Sequence, residues 1–501
     1  MLRTVTFALG LAAAQTAAAQ PPAAERPPNV VLLIADDLGA GELSPDRSHP
    51  IPTPHLDRLI AGGAYCTAGY VTAPYCAASR AGLITGRYQT RFGFEFNPVG
   101  HRNELPGVGL PASEVTLPEM LRAGGYATGL VGKWHLGGAA EFHPLRHGFD
   151  EFFGFLHEGH FYAPPPYAGL TTMLRRARLP FGSKGDVWTS DDGSMLLHTR
   201  TGRHEPPYDA NNPVLRDGQP VLEAEYLTRA FTREAVSFID RHSERPFFLQ
   251  LAYSAVHSPL QAPTDRVDEF AAIDDPQRQI FAAMYAELDD SVGAVLDALD
   301  RRGLTDETLV VFLSDNGGPT VELTSSNAPY RGGKGQLFEG GVRVPFVVRW
   351  PGRVPAGAVV DTPVVSTDIF ETARRLAGVT LDDGVERDGR DLLPVLNGEA
   401  GPLRTVFWRM GEKWALRRGD EKVVRHRATD AGRTAWVVDL FDLAADPAES
   451  TPAARSAVSA GGVAADDNQH NGPMPSVASL VALTAEWERL AVDMAEPLWG
   501  R

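Results

Sequence analysis

Unbroken apolar runs of strand length alternate along the chain with segments in which apolar residues recur every three or four positions. Asn29–Ala35 is the clearest such run, and 126–131, 246–253 and 309–313 are further predicted strands. Continuous apolarity is typical of strands buried on both faces of a parallel sheet. A long helix that ends at Gly303 has its apolar residues at helical spacing: Phe281, Met284, Leu288, Val292, Val295 and Leu299. This alternation predicts an α/β fold whose large, mixed but mostly parallel sheet is sandwiched by helices.

Start and stop signals place shorter helices among these strands. Thr53-Pro54 supplies a cap residue and a proline for the first turn, and Gly62-Gly63 ends this helix. A second helix opens at Cys76, a third covers 117–123, and a fourth ends near Arg241. They complete the alternation that defines the α/β class.

The pattern of apolar and polar residues changes after about residue 400. Short strand-like segments follow one another there and predict a small antiparallel sheet: 406–410, 414–417, 422–426 and 435–441. Residues 453–475 are rich in Ala, Gly and Ser, which is typical of a mobile loop. The final helix has these residues on one face: Leu480, Leu483, Trp487, Leu490 and Met494. We expect an α/β domain over 20–399 and a C-terminal α+β subdomain, with antiparallel sheet and terminal helix, over 400–501.

The first residues have the pattern of a secretory signal. Arg3 precedes the apolar stretch Val5–Ala14 and the small residues Ala17–Ala19, after which we expect cleavage. A membrane anchor needs about 20 apolar residues, and polar residues such as Gln15 interrupt this stretch too early. Residues 1–19 are therefore predicted to be a signal peptide. We expect an exported protein, periplasmic or extracellular, without stable membrane insertion.

The amino-acid composition limits the kinds of ligand and macromolecule that the protein can bind. Hydrophobic residues are 43% and charged residues 22% of the chain, which are ordinary globular values. The formal charge of −16 disfavours nucleic acid and anionic membranes unless a local basic pocket overrides the field. Two cysteines, Cys66 and Cys76, exclude a disulfide-built scaffold and a four-cysteine zinc site. Only five of the 47 basic residues are lysines, so each lysine is a rare choice in this chain.

Chemistry-bearing residues follow the predicted strands. In an open α/β sheet, ligands bind beyond the carboxyl ends of the strands. Such residues stand after five strands or strand-like segments and in one later loop: Asp36-Asp37, Cys76–Arg80, Lys133–His135, His257, Asp315-Asn316 and Lys334. Oxygen ligands suit a hard divalent cation, and the basic side chains suit an anion. The sequence therefore predicts a divalent-metal site beside an anion-binding site.

Each piece also has a purely structural interpretation. Asp36-Asp37 could be a solvated turn or a helix cap, and Ser314–Gly318 could be a structural turn. His257 could be a loop histidine, and Lys133 and Lys334 could be surface lysines. Cys66 and Cys76 could form a disulfide in an exported protein. Pro164–Pro166 and the arginines in Arg175–Arg178 are predicted to be features of surface loops.

Together and in their order, the motifs resemble the formylglycine-dependent type I sulfatases of the alkaline phosphatase superfamily. The resemblance covers roughly residues 29 to 450, in these segments: Asn29–Asp37 (NVVLLIADD), Cys76–Arg87 (CAASRAGLITGR), Gly132–Gly137 (GKWHLG), Ala255–Pro259 (AVHSP), Ser314–Gly318 (SDNGG), Gly332–Phe346 (GGKGQLFEGGVRVPF) and Leu440–Glu449 (LFDLAADPAE). It implies an alkaline-phosphatase-like fold, a sulfatase catalytic domain over 20–399 and hydrolysis of sulfate esters.

The resemblance implies that a separate maturation enzyme oxidises Cys76 to Cα-formylglycine, with Ser79 and Arg80 completing the motif. One hydroxyl of the hydrated aldehyde would attack sulfur and expel the alcohol. The second would then lose its proton, so that the aldehyde reforms and sulfate leaves. The resemblance also implies one divalent cation, calcium rather than magnesium, with these ligands: Asp36, Asp37, residue 76, Asp315 and Asn316.

The other implied roles concern the anion and the protons. Lys133 and Lys334 would bind the sulfate oxygens as compact point charges. Arg80 and His135 would hold the formylglycine hydrate, with His135 as the base for elimination. His257, when protonated, would be the general acid for the leaving oxygen. A helix that starts at the nucleophile would add backbone N–H groups and the positive end of a dipole.

Position 78 departs from the family pattern, because most members have proline where this chain has Ala78. Alanine belongs to a minority form of the signature, so we still expect conversion of Cys76, by a maturation enzyme that the sequence does not identify. If conversion fails, Cys66–Cys76 pairing or a free thiol becomes possible, and activity should collapse.

Family analogy and the signal peptide favour a sulfated carbohydrate over a small aryl ester as substrate. His101, Arg146, His157 and His160 lie in segments that could line a sugar pocket or form surface loops. Two rival functions would use the same residues. One is a phosphonate or phosphate ester hydrolase, since tetrahedral oxyanions resemble one another. The other is an unmodified, inactive relative that binds sulfated glycans without cleaving them.

Overall fold

The computed structural model describes residues 26–180, 182–430, 432–459, 462–465 and 475–498 of the chain. The predicted signal peptide lies outside these residues. Within them, no helix combines the length and the apolar character that a membrane span requires.

The strands, in chain order, are β1 (Asn29–Ala35), β2 (Ala64–Cys66), β3 (Gly69–Tyr70), β4 (Ala127–Lys133), β5 (Glu151–Phe155), β6 (Leu170–Arg175), β7 (Val187–Thr189), β8 (Met195–His198), β9 (Leu215–Arg216), β10 (Gln219–Pro220), β11 (Phe247–Ala252), β12 (Leu260–Pro263), β13 (Thr308–Ser314), β14 (Phe346–Arg349), β15 (Ala358–Val360), β16 (Val364–Val365), β17 (Thr405–Met410), β18 (Lys413–Arg418), β19 (Glu421–Asp430), β20 (Arg433–Asp442), β21 (Ala454–Ser459) and β22 (Gly462–Ala465).

The α-helices are α1 (Pro54–Ala61), α2 (Cys76–Thr85), α3 (Leu117–Ala123), α4 (Leu227–His242), α5 (Thr264–Asp268), α6 (Pro276–Arg301), α7 (Thr320–Leu323), α8 (Glu339–Val342), α9 (Asp368–Leu376), α10 (Leu392–Leu396) and α11 (Pro475–Ala491). Short 3-10 helices occupy Ala40–Glu42, Gln89–Arg91, Gly100–Glu104, Ala140–Phe142, Pro144–Arg146 and Thr305–Glu307.

A ten-stranded sheet organises the larger part of the chain, in the order β10-β9-β5-β4-β11-β1-β13-β14-β2-β15. The central strands β5, β4, β11, β1 and β13 are all parallel to their neighbours within that group. β14 is antiparallel to both β13 and β2. The prediction of a large, mixed and mostly parallel sheet is therefore confirmed.

Alternate residues of β1 enter two different cores, which explains its unbroken apolar sequence. Val31 and Leu33 pack in a core that includes the apolar faces of α1, α4 and α6. Val30 and Leu32, on the opposite face, pack in a core that includes α2, α3 and α9. Each large apolar side chain buried in this way contributes about 1.5–3 kcal/mol, which holds helices on both faces of the sheet.

The predicted helix boundaries are close to those observed. Asp275 caps α6 by accepting a hydrogen bond from the backbone N–H of Gln277, and Pro276 occupies its first turn. Thr116 and Glu119 form a capping box at the start of α3. Neither of these two caps was predicted from the sequence, which gave start and stop signals only for other helix ends.

The C-terminal part forms a six-stranded sheet, β17-β18-β19-β20-β21-β22, in which every neighbouring pair is antiparallel. Leu480, Leu483 and Trp487 of α11 pack on it, so the predicted antiparallel sheet and terminal helix are confirmed. The prediction of a mobile loop over 453–475 is wrong where β21 and β22 occupy it. β21 pairs with β20 and with the edge strand β22, and backbone hydrogen bonds hold both strands without large apolar side chains. The domain boundary near residue 400 stays a prediction.

A four-stranded sheet, β12-β6-β8-β7, lies beyond the carboxyl end of β11 and was not predicted. It also overturns the surface-loop prediction for Arg175, which ends β6 and is buried. The guanidinium of Arg175 pairs with Glu205 at 2.8 Å and with Glu322 at 2.6 Å. Such paired carboxylates are what allow an arginine to be buried.

Candidate active site

The predicted site residues converge at the carboxyl ends of adjacent parallel strands. Asp36 follows β1, Asp315 follows β13, and His257 lies shortly after β11. Lys133 is the last residue of β4. Because β4, β11, β1 and β13 are neighbours in the sheet, their ends bring these side chains to one edge.

Cys76 and Lys334 reach the same place by other routes. Cys76 begins α2, and the preceding strand β3 pairs with β16 in a separate two-stranded sheet. The expectation that a strand of the main sheet delivers Cys76 is therefore wrong. Lys334 lies in the loop between α7 and α8.

Four acidic or sulfur groups form a buried cluster: Asp36, Asp37, Cys76 and Asp315, whose potential ligand atoms all lie within 4.8 Å of one another. The thiol of Cys76 donates to Oδ1 of Asp36 at 3.4 Å. Asn316 donates from Nδ2 to Asp37 at 2.7 Å, while its Oδ1 is buried without a hydrogen-bond partner among the described residues. Three carboxylates and a spare amide oxygen form a donor set that fits a hard divalent cation.

Burial and mutual repulsion act strongly on these carboxylates. Burial, opposed by Lys133 and reinforced by Asp315 and Asp37, raises the pKa of Asp36 to about 7. Burial alone would also raise the pKa of Asp37, but Lys334 and His257 outweigh it and hold the pKa at about 2. The cluster therefore contains negative charge that neighbouring cations must balance.

Three basic side chains provide that balance, one for each carboxylate. Nζ of Lys133 lies 2.6 Å from Oδ2 of Asp36, with both side chains 0% exposed. Nζ of Lys334 lies 2.8 Å from Oδ2 of Asp37. Arg80 donates from Nε to Oδ2 of Asp315 at 2.8 Å. None of these three side chains is a freely solvated surface charge, so the interpretation of Lys133 and Lys334 as ordinary surface lysines does not hold.

His135 has one ring nitrogen engaged and one free. Nε2 donates to the carbonyl oxygen of Pro98 at 2.9 Å, and Nδ1 is buried without a partner in the described chain. Burial, with Lys133 as the next cause, holds the pKa of His135 well below its usual value. The backbone φ of 58° is in the left-handed region, which is uncommon for a residue other than glycine. The neutral ring thus keeps Nδ1 as a proton acceptor.

His257 lies on the Asp37 side of the cluster. Nδ1 donates to the carbonyl oxygen of Ser258 at 2.7 Å, and Nε2 is 3.7 Å from Oδ2 of Asp37. Burial, followed by Lys334, holds the pKa of His257 well below its usual value. Burial and Lys334 therefore disfavour a second proton on the ring, whereas the expected acid role needs that proton on Nε2.

The two cysteines are separate and unpaired. Burial raises the pKa of the Cys76 thiol well above its ordinary value, and a protonated thiol is a poor nucleophile. Cys66 ends β2, and burial raises its pKa to about 12. The structure therefore does not contain the Cys66–Cys76 disulfide that was considered as an alternative.

A layer of side chains behind His257 was missed by sequence reasoning. The ring of Tyr208 meets the ring of His257 edge-on, with centroids 5.8 Å apart. Its hydroxyl lies 2.8 Å from Oγ of Ser258 and accepts a hydrogen bond from Arg175 at 2.8 Å. Ser258 also donates to Glu322 at 2.9 Å. Of these residues, only Ser258 stood in a recognised motif.

The four residues considered for a sugar pocket have different environments. His101 and Arg146 are exposed. His157 is buried, with Nε2 3.6 Å from a carboxylate oxygen of Glu104. His160 is half-buried, and its Nδ1 lies 2.6 Å from the carbonyl oxygen of Phe161. None of the four joins the cluster around Cys76.

An α/β sheet that gathers three carboxylates, three cations and two histidines around one residue forms a site suited to the hydrolysis of an anionic ester. The profile of the Sulfatase family matches residues 28–379, and the chain belongs to this family. The protein is accordingly a sulfatase, an enzyme that hydrolyses sulfate esters.

Named relatives agree with this assignment. The chain is 38% identical over 439 residues to the steryl-sulfatase of Mus musculus, covering 79% of this chain and 69% of that protein. It is 36% identical over 398 residues to the N-acetylgalactosamine-6-sulfatase of Homo sapiens, covering 78% and 69%. The crystal structure of Ps i-CgsB with k-i-k-neocarrahexaose superposes with a TM-score of 0.77 and 30% identity, covering 95% of each chain.

Proposed function

We propose that this sulfatase is exported and removes sulfate from sulfated carbohydrates, using formylglycine at position 76 and one calcium ion. The observation that carries the proposal is the set of three cation–carboxylate pairs around Cys76, two of them buried and one partly buried. One relative is named N-acetylgalactosamine-6-sulfatase, and a structural neighbour was solved with an oligosaccharide. Both favour a carbohydrate substrate.

Four residues would hold the calcium ion together with residue 76: Asp36, Asp37, Asp315 and Asn316. Carboxylate and amide oxygens are the ligands that calcium prefers, and a flexible set of six to eight oxygens favours it over magnesium. When bound, the ion supplies Lewis acidity toward the sulfate group.

Residue 76 would supply the nucleophile as hydrated formylglycine, placed at the N-terminus of α2. A separate maturation enzyme would have to oxidise Cys76 before the chain closes around it, because Cys76 is 1% exposed. Arg80 would hold the hydrate. His135 would accept its proton at Nδ1, the ring nitrogen that has no partner among the described residues.

The lysines and His257 would act on the substrate itself. Lys133 and Lys334 would bind sulfate oxygens with compact charges in a water-poor site. His257 would protonate the leaving alcohol from Nε2, since Nδ1 already donates to the backbone. A bound anion would offset the repulsion from Lys334 that disfavours the second proton.

Mass spectrometry of the tryptic peptide Leu59–Arg80 tests the proposal directly. The peptide contains both cysteines, so one measurement on protein from the native host, after thiol alkylation, distinguishes aldehyde, thiol and disulfide. We expect an aldehyde at 76 and an alkylated thiol at 66. Two thiols, or a disulfide, would contradict the proposed nucleophile and would favour a relative that binds sulfated glycans without cleaving them.

Turnover of paired substrates tests the reaction. We expect sulfate release from 4-nitrophenyl sulfate and from sulfated sugars to exceed phosphate release from 4-nitrophenyl phosphate. Faster turnover of the phosphate ester would replace the proposal with a phosphate or phosphonate ester hydrolase.

A further inference from the structure

A cavity of about 580 Å³ opens beside the proposed site and shares Lys334 with it. Its wall includes Arg175, Arg200 and Arg203, together with Glu322 and Gln336. A volume of this size is typical of ligand pockets and is sufficient for a sugar ring. Because Lys334 lines both the cavity and the proposed active site, a group in the cavity would be close to a sulfate bound at the cluster around Cys76.

The cavity is locally basic in an acidic protein. Four of the charged residues that line it are cations and one is a carboxylate, whereas the whole chain has a formal charge of −16. Carboxylates pair with Arg175, Arg200 and Lys334, so a cation without such a partner is the one that attracts a ligand of the opposite sign. The occupant that this surface favours is therefore an anion.

The three arginines differ in how far carboxylates of the chain neutralise their charge. Arg175 is neutralised by Glu205 and Glu322. Arg200 is held in place by Asp186 and Asp275, at 3.2 and 3.3 Å.

Arg203 is exposed and makes no hydrogen bond or ion pair with the part of the chain that the structure describes. Its guanidinium fork can still bind a sulfate oxygen pair in a bidentate way. Arg203 is therefore the cation in this cavity that remains available for a ligand.

We propose that this cavity binds a second sulfate group of the same substrate, through Arg203 with support from Arg200. The inference rests on the proposed function and makes it more specific: the preferred substrate is a carbohydrate with at least two sulfates, one for hydrolysis and one for binding. Lys334 lies at the junction of the two positions.

The test is calorimetric titration of the Cys76→Ala chain, which cannot consume the sugar, with N-acetylgalactosamine 6-sulfate and N-acetylgalactosamine 4,6-disulfate. The two sugars differ by one sulfate group. We expect the disulfate to bind about tenfold more tightly, the gain of one charge-assisted contact. Arg203→Ala in the same background should remove most of this preference. Equal affinities, no measurable binding of the disulfate, or a preference that survives Arg203→Ala would overturn the proposal.

Arg122→Ala is the matched control, because Arg122 is exposed on α3, which leads into the amino end of β4. It removes the same charge and should leave the preference unchanged. An equal loss in both variants would mean that only net charge matters and would also overturn the proposal. The readout needs no turnover, so failure of the sulfatase reaction itself, measured on the unmutated enzyme, is a separate result.

Discussion

Lys133 and Asp36 form an ion pair in the interior, with Nζ 2.6 Å from Oδ2 and neither side chain reaching solvent. Lys133 ends β4 and Asp36 directly follows β1, with β11 between the two strands. The pair therefore ties together strand ends that are not neighbours in the sheet. Without Lys133, the buried carboxyl of Asp36 must either take up a proton or remain charged without compensation, and both cost stability.

Lys133→Met should consequently lower the free energy of unfolding by about 3 kcal/mol. It should also lower kcat/KM for sulfate esters by at least about 100-fold if Lys133 binds the sulfate group as proposed. Urea unfolding and initial rates measure the two effects. Lys184→Met is the control, because Lys184 is exposed. If the two variants unfold alike, the buried pair does not stabilise the protein.

Calcium should raise the unfolding temperature by several degrees, and a chelator should remove the gain. The reason is that Asp36, Asp37 and Asp315 converge only in the folded chain. A ligand at 100 times its Kd stabilises by about 2.7 kcal/mol. Thermal unfolding with calcium, magnesium and chelator measures the shift, which should be largest for calcium.

Asp37→Asn should abolish the calcium-dependent shift because it removes one of the buried carboxylates. Asp191→Asn, which changes an exposed carboxylate, should retain the shift. Equal shifts in both variants would place the calcium site elsewhere in the protein.

His257→Gln should affect substrates according to their leaving groups. A sugar alcohol leaves poorly without a proton, whereas 4-nitrophenolate leaves unaided. We expect a loss of about 100-fold or more in kcat for sugar sulfates and of less than tenfold for 4-nitrophenyl sulfate. His204→Gln, at an exposed position, should change neither rate. Equal losses on both substrates would show that His257 has no acid role.

Local patterns were sufficient for four neighbouring strands of the main sheet and for most of the site, but not for β5 or β14. β1, β4, β11 and β13 are mostly apolar because both faces are buried, and parallel order then brings the residues after them together. Asp36-Asp37 and Asp315 could therefore be assigned to one edge before the fold was known.

What could not be predicted depends on pairing between distant segments. Met173 of β6 pairs with Leu260 of β12, nearly 90 residues later, and neither short strand has a distinctive pattern of its own. Arg175 consequently resembled a loop residue, because its partners Glu205 and Glu322 meet it only in the folded chain. The position of Cys76 likewise depends on α2 rather than on a strand of the main sheet.

A second buried ion network joins the C-terminal sheet to the segment that follows Lys334. Nζ of Lys422, on β19, lies 2.8 Å from Glu339 and 3.1 Å from Glu449, with all three side chains 0% exposed. Glu449 also accepts a hydrogen bond from the backbone N–H of Glu339 at 2.5 Å. Burial raises the pKa of Glu449 to about 7, whereas Lys422 and Arg343 outweigh burial and hold the pKa of Glu339 at about 2.

Glu449→Gln should therefore change how stability depends on pH. A carboxyl whose pKa is higher in the folded chain binds its proton more tightly there. Its stabilisation is complete below the ordinary value of 4.5 and is lost as pH rises through about 7. Relative to the variant, the free energy of unfolding of the native chain should fall by about 2–3 kcal/mol between pH 4.5 and 7.5.

Urea unfolding at several pH values in this window measures the difference between the two proteins, in which contributions from groups that do not interact with Glu449 cancel. Glu412→Gln neutralises an exposed carboxylate of the same subdomain and should keep the pH dependence of the native chain. If the curves of the native chain and Glu449→Gln run parallel, Glu449 does not take up a proton on folding. The charge of Lys422 would then be balanced by both carboxylates at neutral pH.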